Sequence, residues 1–223
     1  MGTQIELNGA DGFRAGAYRA EPEGSARGGV VVIQEIFGVN AHIREVADGY
    51  ARAGYLAIAP ALFDRVERGV ELGYDAAGME AGIGFARGKL DIADAMTDLA
   101  AAIDAASEAG KVGVVGYCFG GLLTWLAACR LEGVAAASSY YGGGVPTQAE
   151  LQPKCPVILH FGAHDAHIPV EQVEAFAAAH PESPVHVYDA DHGFNCDHRP
   201  SFDSAASKLA LERTLAHFSE FVG

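Results

Sequence analysis

A doubly wound, mostly parallel α/β sheet is the fold this sequence predicts, and three observations predict it. Short apolar runs rich in β-branched residues recur without polar alternation: Val30–Ile33, Tyr55–Ala59, Val112–Val115, Ala135–Tyr140, Val157–Phe161 and Val185–Tyr188. Strands buried on both faces of a parallel sheet have this composition. Helical stretches lie between them, over about His42–Ala53, Leu90–Ala109, Leu122–Leu131, Val170–Ala179 and Phe202–Phe221. Alternation of this kind is the pattern of a sheet covered by helices on both faces. Finally, four of the runs end directly in chemically loaded residues, where open α/β sheets carry their sites.

The chain opens on two segments, Ile5–Leu7 and Phe13–Ala20, alternating around Asn8-Gly9 and Asp11-Gly12. That pattern predicts a leading antiparallel hairpin. Gly28-Gly29 introduces the first buried run. The stretch Phe63–Gly88 is the least regular part, glycine-rich and carrying Arg65, Arg68 and Arg87. It is expected to be an irregular excursion that caps a site. No internal repeat, low-complexity tract or linker divides the sequence, so one domain over residues 1–223 is expected.

Bulk properties narrow the function. The 223 residues are half hydrophobic, with a formal net charge of −14. Such acidity argues against nucleic acid and against an anionic membrane, since both need clustered Lys and Arg. It leaves room for a small anionic substrate, because a few local arginines override a global sign. No stretch approaches the roughly 20 apolar residues of a membrane span, and Met1–Leu7 lacks a basic region followed by an apolar run. Cys118, Cys129, Cys155 and Cys196 show no CxxC spacing. Reduced thiols in a cytoplasmic, monomeric protein with no metal or cofactor are therefore expected.

The strongest motif follows Val112–Val115: Gly116-Tyr117-Cys118-Phe119-Gly120-Gly121. This is G-x-C-x-G, the cysteine form of the nucleophile elbow of α/β hydrolases. The nucleophile sits on a tight strand-to-helix turn. The residues two before and two after it must be small, because neighbouring strand and helix crowd them; Gly116 and Gly120 supply the space. The turn places the sulfur at a helix N-terminus, whose free N–H groups favour a thiolate and an oxyanion.

A nucleophile needs a base, and the base an orienting acid. In this fold the chain order is nucleophile, acid, histidine. Asp165 follows the Val157–Phe161 run and His192 follows Val185–Tyr188. His164, His167, Asp189 and Asp191 lie nearby, but none combines the required order and loop position. Glu35 directly follows the Val30–Ile33 run, where apolar surroundings favour its holding a proton.

These residues resemble those of the dienelactone hydrolases (carboxymethylenebutenolidases) over nearly the whole chain. The resemblance rests on Gln34-Glu35-Ile36-Phe37-Gly38, the Ala59-Pro60-Ala61-Leu62-Phe63 segment, the cysteine elbow, Tyr140-Tyr141-Gly142, Gly162-Ala163-His164-Asp165 and His192-Gly193-Phe194. It implies an α/β-hydrolase fold, a Cys118–His192–Asp165 triad, and hydrolysis of a lactone or ester through an acyl-enzyme. It also implies that Glu35 contacts the thiol and assists thiolate formation. The oxyanion would be held by the backbone N–H groups of Ile36 and Phe119. One departure concerns the substrate. Relatives that take chlorinated dienelactones carry an Arg four residues after the triad histidine, gripping the substrate carboxylate; Cys196 stands there in this chain. Arg199, Arg65, Arg68 and Arg87 are the candidates to replace it, and Phe37 and Tyr140 complete the expected substrate contacts. A general short-chain esterase is the alternative. A thiol-based redox sensor, with Cys196 as resolving partner, is the reading from a different class.

Overall fold

The computed structural model describes residues 2–223. Its centre is one eight-stranded sheet formed by β1 (Thr3–Asn8), β2 (Arg14–Ala20), β3 (Gly29–Ile33), β4 (Leu56–Pro60), β5 (Val112–Tyr117), β6 (Val134–Tyr140), β7 (Val157–Gly162) and β8 (Val185–Tyr188). Their spatial order is β1-β2-β4-β3-β5-β6-β7-β8. β1 and β2 form the expected antiparallel hairpin, with Thr3 opposite Arg19 and Asn8 opposite Arg14. β2 is also antiparallel to β4. From β4 to β8 every pairing is parallel. The strands β3, β4, β5 and β7 are buried along their whole length, which is why they read as unbroken apolar runs.

Six α-helices cover the sheet: α1 (Ala41–Arg52), α2 (Ala76–Gly84), α3 (Ile92–Ala106), α4 (Phe119–Arg130), α5 (Val170–Ala179) and α6 (Ser204–Phe221). α1 and α6 share one face, where Tyr50 meets Phe218 with ring centroids 6.1 Å apart. α3, α4 and α5 share the other, where Trp125 of α4 packs edge-on against Phe176 of α5 at 5.0 Å. Caps set several helix starts: the Asn40, Asp75, Asp91 and Asp203 side chains accept from Ile43, Gly78, Ala93 and Ala206 N–H groups. Each satisfies a donor that the first helical turn leaves free.

α4 begins three residues before the expected Leu122, because the elbow delivers the chain into the helix directly after Cys118. α2 was not expected at all, lying inside the stretch read as irregular. Its sequence AAGMEAGIG holds three glycines, each unfavourable in a helix by about 1 kcal/mol relative to Ala. The reason is tertiary. A Cβ on Gly82 would collide with the Ile36 carbonyl, so glycine lets this helix lie directly on the turn after β3. No helix among the described residues is long and apolar enough to cross a membrane.

Candidate active site

The elbow has the backbone its motif demands. Cys118 adopts φ 56° and ψ −112°, a region that residues with side chains rarely occupy; such strain costs about 1–3 kcal/mol and persists only where the surroundings enforce it. The enforcement is visible. Cys118 N–H donates to the Tyr140 carbonyl at 3.0 Å, and the Cys118 carbonyl accepts from Gly121 N at 2.9 Å. A Cβ on Gly116 would strike the Gly120 carbonyl, and one on Gly120 would strike the Gln34 and Ile33 carbonyls. Phe119 is the first residue of α4, so its N–H lies ahead of any intrahelical partner.

The loops after β7 and β8 bring the other two residues to the thiol. His192 Nε2 lies 3.1 Å from Cys118 Sγ, and His192 Nδ1 lies 2.6 Å from Asp165 Oδ2. Asp165 Oδ1 accepts from His167 N at 2.8 Å, so both oxygens of this fully buried carboxylate are occupied. The two loops are tied together: Ala163 N donates to Tyr188 O at 2.7 Å and His164 N to Ala190 O at 3.1 Å. Phe194, wholly buried against Tyr141 and Tyr188, anchors the chain just past His192. Burial opposes the imidazolium of His192. Its hydrogen bonds to Asp165 and Cys118, and the charges of both, outweigh burial and raise its pKa to about 10. The site thus favours a proton resting on His192.

Tyr141 and His167 were not singled out as working residues. The Tyr141 ring, at φ 35° in the turn after β6, meets the His192 ring edge-on at 5.1 Å. The His167 ring also meets it edge-on, at 5.4 Å. Together they fix the plane of the imidazole. Tyr141 belonged to a recognisable turn motif, but its facing the histidine depends on how three loops converge.

The turn after β3 carries Glu35, Ile36 and Phe37. Gln34 secures it, accepting from Leu62 N at 3.2 Å through Oε1. Gly38 takes φ 79° and bridges to Glu71, while Leu72 N donates to Phe37 O at 2.9 Å. The excursion therefore does cap this turn. Glu35 is fully buried, and neither of its carboxylate oxygens has a hydrogen-bond partner among the described residues. Its nearest cation is Arg199, with Nη1 3.7 Å from Oε1. The expected contact between Glu35 and the Cys118 thiol is absent from the hydrogen bonds of the described residues, because Sγ is turned toward His192.

The candidate substrate contacts separate clearly. Arg199 lies over the Phe37 and Tyr74 rings, each about 5.8 Å from its guanidinium carbon, beside Glu35. Arg65 is a correction. Its guanidinium clasps buried Asp98 through Nε at 2.9 Å and Nη2 at 2.7 Å, reaches Asp11, and stacks on Phe13. It serves to neutralise a buried carboxylate, with Nε, Nη1 and Nη2 all engaged by Asp98 and Asp11. Arg68 donates to the Arg14 carbonyl on the exposed side of the hairpin, and Arg87 is exposed on the short π-helical turn after α2. Tyr140 is a second correction. Its hydroxyl shares a hydrogen bond with Thr214 Oγ1 at 2.7 Å in the core, and it serves the site only through the carbonyl that holds Cys118 N. Cys196 is buried beside Tyr74 and Glu35; burial, then the Glu35 charge, pushes its thiol up to about 12. A thiol so disfavoured as thiolate is a poor resolving partner.

Known proteins match this arrangement over almost the whole chain. The family model described as "Dienelactone hydrolase family" matches residues 15–222. A Synechocystis sp. relative, provisionally named a carboxymethylenebutenolidase, is 37% identical over 90% of this chain and 89% of its own. The carboxymethylenebutenolidase of Pseudomonas putida is 34% identical over 95% and 93%. Among solved structures, a Klebsiella pneumoniae protein provisionally named a dienelactone hydrolase superposes with a TM-score of 0.86 at 30% identity, covering 99% of this chain and 100% of that one. The chain is a hydrolase with the α/β-hydrolase fold and belongs to the dienelactone hydrolase family.

Proposed function

We propose that this hydrolase opens a lactone or cleaves a small ester by acyl transfer through Cys118. The observation that carries the reading is the continuous line from Asp165 Oδ2 through His192 to Cys118 Sγ, at 2.6 and 3.1 Å, on a strained elbow at a helix N-terminus. The thiolate attacks the carbonyl carbon, and the oxyanion that forms is held by the N–H groups of Ile36 and Phe119. Donors of this kind each contribute roughly 10²–10³ in rate. As the tetrahedral adduct collapses, the C–O bond breaks and His192 gives its proton to the departing oxygen. In a lactone that oxygen stays tethered to the acyl group. His192 then removes a proton from water, whose oxygen attacks the thioester, releasing the carboxylic acid, which loses its proton to solvent, and restoring the thiolate. Asp165 holds the imidazole in the tautomer both steps need.

Glu35, buried next to Arg199 with no hydrogen bond among the described residues, fits a group that exchanges a proton with the thiol as substrate enters. A lactone bearing a carboxylate, as the name of the P. putida relative suggests for that protein, would find Arg199 as its counter-charge. The test is a screen of lactones and p-nitrophenyl esters, with and without a carboxylate, on wild type and Cys118→Ala. A pre-steady-state burst in wild type, with turnover abolished and the circular dichroism spectrum preserved in Cys118→Ala, is the expected result. Undiminished turnover in that variant would sink the proposal.

A further inference from the structure

On the α1 face of the molecule, four side chains with metal-binding atoms converge. His42 and Glu45 come from the first turns of α1, three residues apart and so on one face of the helix. Asp197 and His198 come from the segment between β8 and α6 that also carries His192 and Arg199. One donor atom from each of the four lies within 4.8 Å of the other three. His42 Nδ1 is 3.2 Å from Asp197 Oδ1, and His198 Nε2 is 2.9 Å from Glu45 Oε2 and 3.8 Å from Asp197 Oδ1.

We propose that His42, Glu45, Asp197 and His198 bind one divalent transition-metal ion of the zinc class, which fastens the His192 segment to α1. With metal–ligand bonds of about 2.0–2.2 Å, tetrahedral donors sit roughly 3.4 Å apart. Three of the six separations, 2.9, 3.2 and 3.8 Å, straddle that value, and none of the six exceeds 4.8 Å. Two imidazoles and two carboxylates suit zinc or its neighbours and do not suit magnesium or calcium, which want oxygen donors throughout. An ordinary surface ion-pair cluster explains the site less well. The only salt-bridge partners of Glu45 and Asp197 among the described residues are these imidazoles, so neither carboxylate meets a permanent cation.

The ligands also divide as a binding site requires. The His42 ring is 3% exposed and wedged against the His198 and Tyr74 rings at 5.4 and 6.4 Å, a fixed point of attachment. Glu45, Asp197 and His198 are exposed and free to close by the small distance that remains. An ion reaches them from a groove of about 460 Å³ between α1 and α6, lined by His42, Glu45 and Asp197 at one end. None of this depends on Cys118 acting as nucleophile.

The experiment uses the full chain carrying Cys118→Ala, so that the active-site thiol offers no competing site. After stripping with chelator, the protein is titrated with ZnCl₂ by calorimetry, and Co²⁺ loading is followed by visible absorption. One equivalent bound, an intense tetrahedral Co²⁺ spectrum and a Tm raised by Zn²⁺ but not Mg²⁺ are expected. His198→Ala and the pair Glu45→Gln/Asp197→Asn, all at exposed positions, should each weaken binding by at least about tenfold and erase the Tm rise. Saturable zinc binding that is equally tight in these variants, or no saturable binding in the parent, overturns the proposal.

Discussion

Arg199 holds its Nη1 3.7 Å from Oε1 of Glu35, a carboxylate with no exposed surface and no hydrogen bond among the described residues. The family resemblance leads one to look for an arginine four residues after His192. This chain instead brings one from three residues further on, and a hydrogen-bonded turn returns it: Arg199 N donates to Cys196 O at 3.1 Å. Arg199→Ala should raise KM for a carboxylate-bearing lactone by about ten- to a hundredfold, since a charge-assisted hydrogen bond contributes about 1.5–3 kcal/mol. KM for a neutral ester of the same size should change little. Steady-state kinetics on the matched pair reads the difference, and equal effects on both substrates would remove Arg199 from substrate recognition.

The strain at Cys118 gives a stability prediction. Alanine at position 118 keeps the unfavourable φ of 56°, whereas glycine accepts it freely. Relief of about 1–3 kcal/mol, less about 0.4–1 kcal/mol for glycine's freer unfolded chain, leaves Cys118→Gly more stable than Cys118→Ala. The expected gain is about 1 kcal/mol, or about 2–4 °C in Tm for a domain of this size. Both variants should be inactive. Calorimetry showing Cys118→Gly to be the less stable of the two contradicts the strain argument.

His192 sets a pH window. Its folded pKa of about 10 stands above its ordinary value of 6.5. A raised pKa means that folding favours the protonated form. The stabilisation is fully present below pH 6.5 and is lost as pH rises through about 10. The urea midpoint of wild type, relative to His192→Gln, should therefore be most favourable below pH 6.5 and decline progressively toward pH 10. A constant difference across this range would show that the imidazolium contributes nothing.

The contact of α2 with the Ile36 turn gives a prediction away from the triad. Gly82→Ala drives a methyl group into the Ile36 carbonyl and should displace the neighbouring N–H. Moving the Ile36 N–H, the proposed oxyanion donor, should lower kcat by about tenfold to a hundredfold. Gly84→Ala, two residues on and with nothing within 4 Å of the new Cβ, should leave kcat unaltered. The pair separates the oxyanion turn from a general effect of alanine on this helix.

Arg65 should behave as a stability residue. Arg65→Ala leaves Asp98 buried and unpaired, at a cost of about 3–5 kcal/mol. Adding Asp98→Ala should restore part of the loss. KM for carboxylate substrates should be unchanged in either variant. A KM increase with little loss of stability would return Arg65 to the substrate side.

The sequence alone determined the sheet, the elbow and the order of Cys118, Asp165 and His192. Strands buried on both faces are mostly apolar, so β3, β4, β5 and β7 announce themselves as apolar runs, and tight turns admit only small neighbours, so Gly116 and Gly120 mark the elbow. The tertiary structure decided what depends on convergence. α2 was invisible because its glycines lower helix propensity while permitting contact with Ile36. Four arginines read alike on paper. Folding committed Arg65 to Asp98, left Arg68 and Arg87 at the surface, and delivered Arg199 to Glu35. Tyr140 looked like a site residue by position, yet the strand turns its ring into the core and offers the site only a carbonyl. Local pattern records which face of an element is buried; which side chains meet across loops is set by packing between segments far apart in the chain.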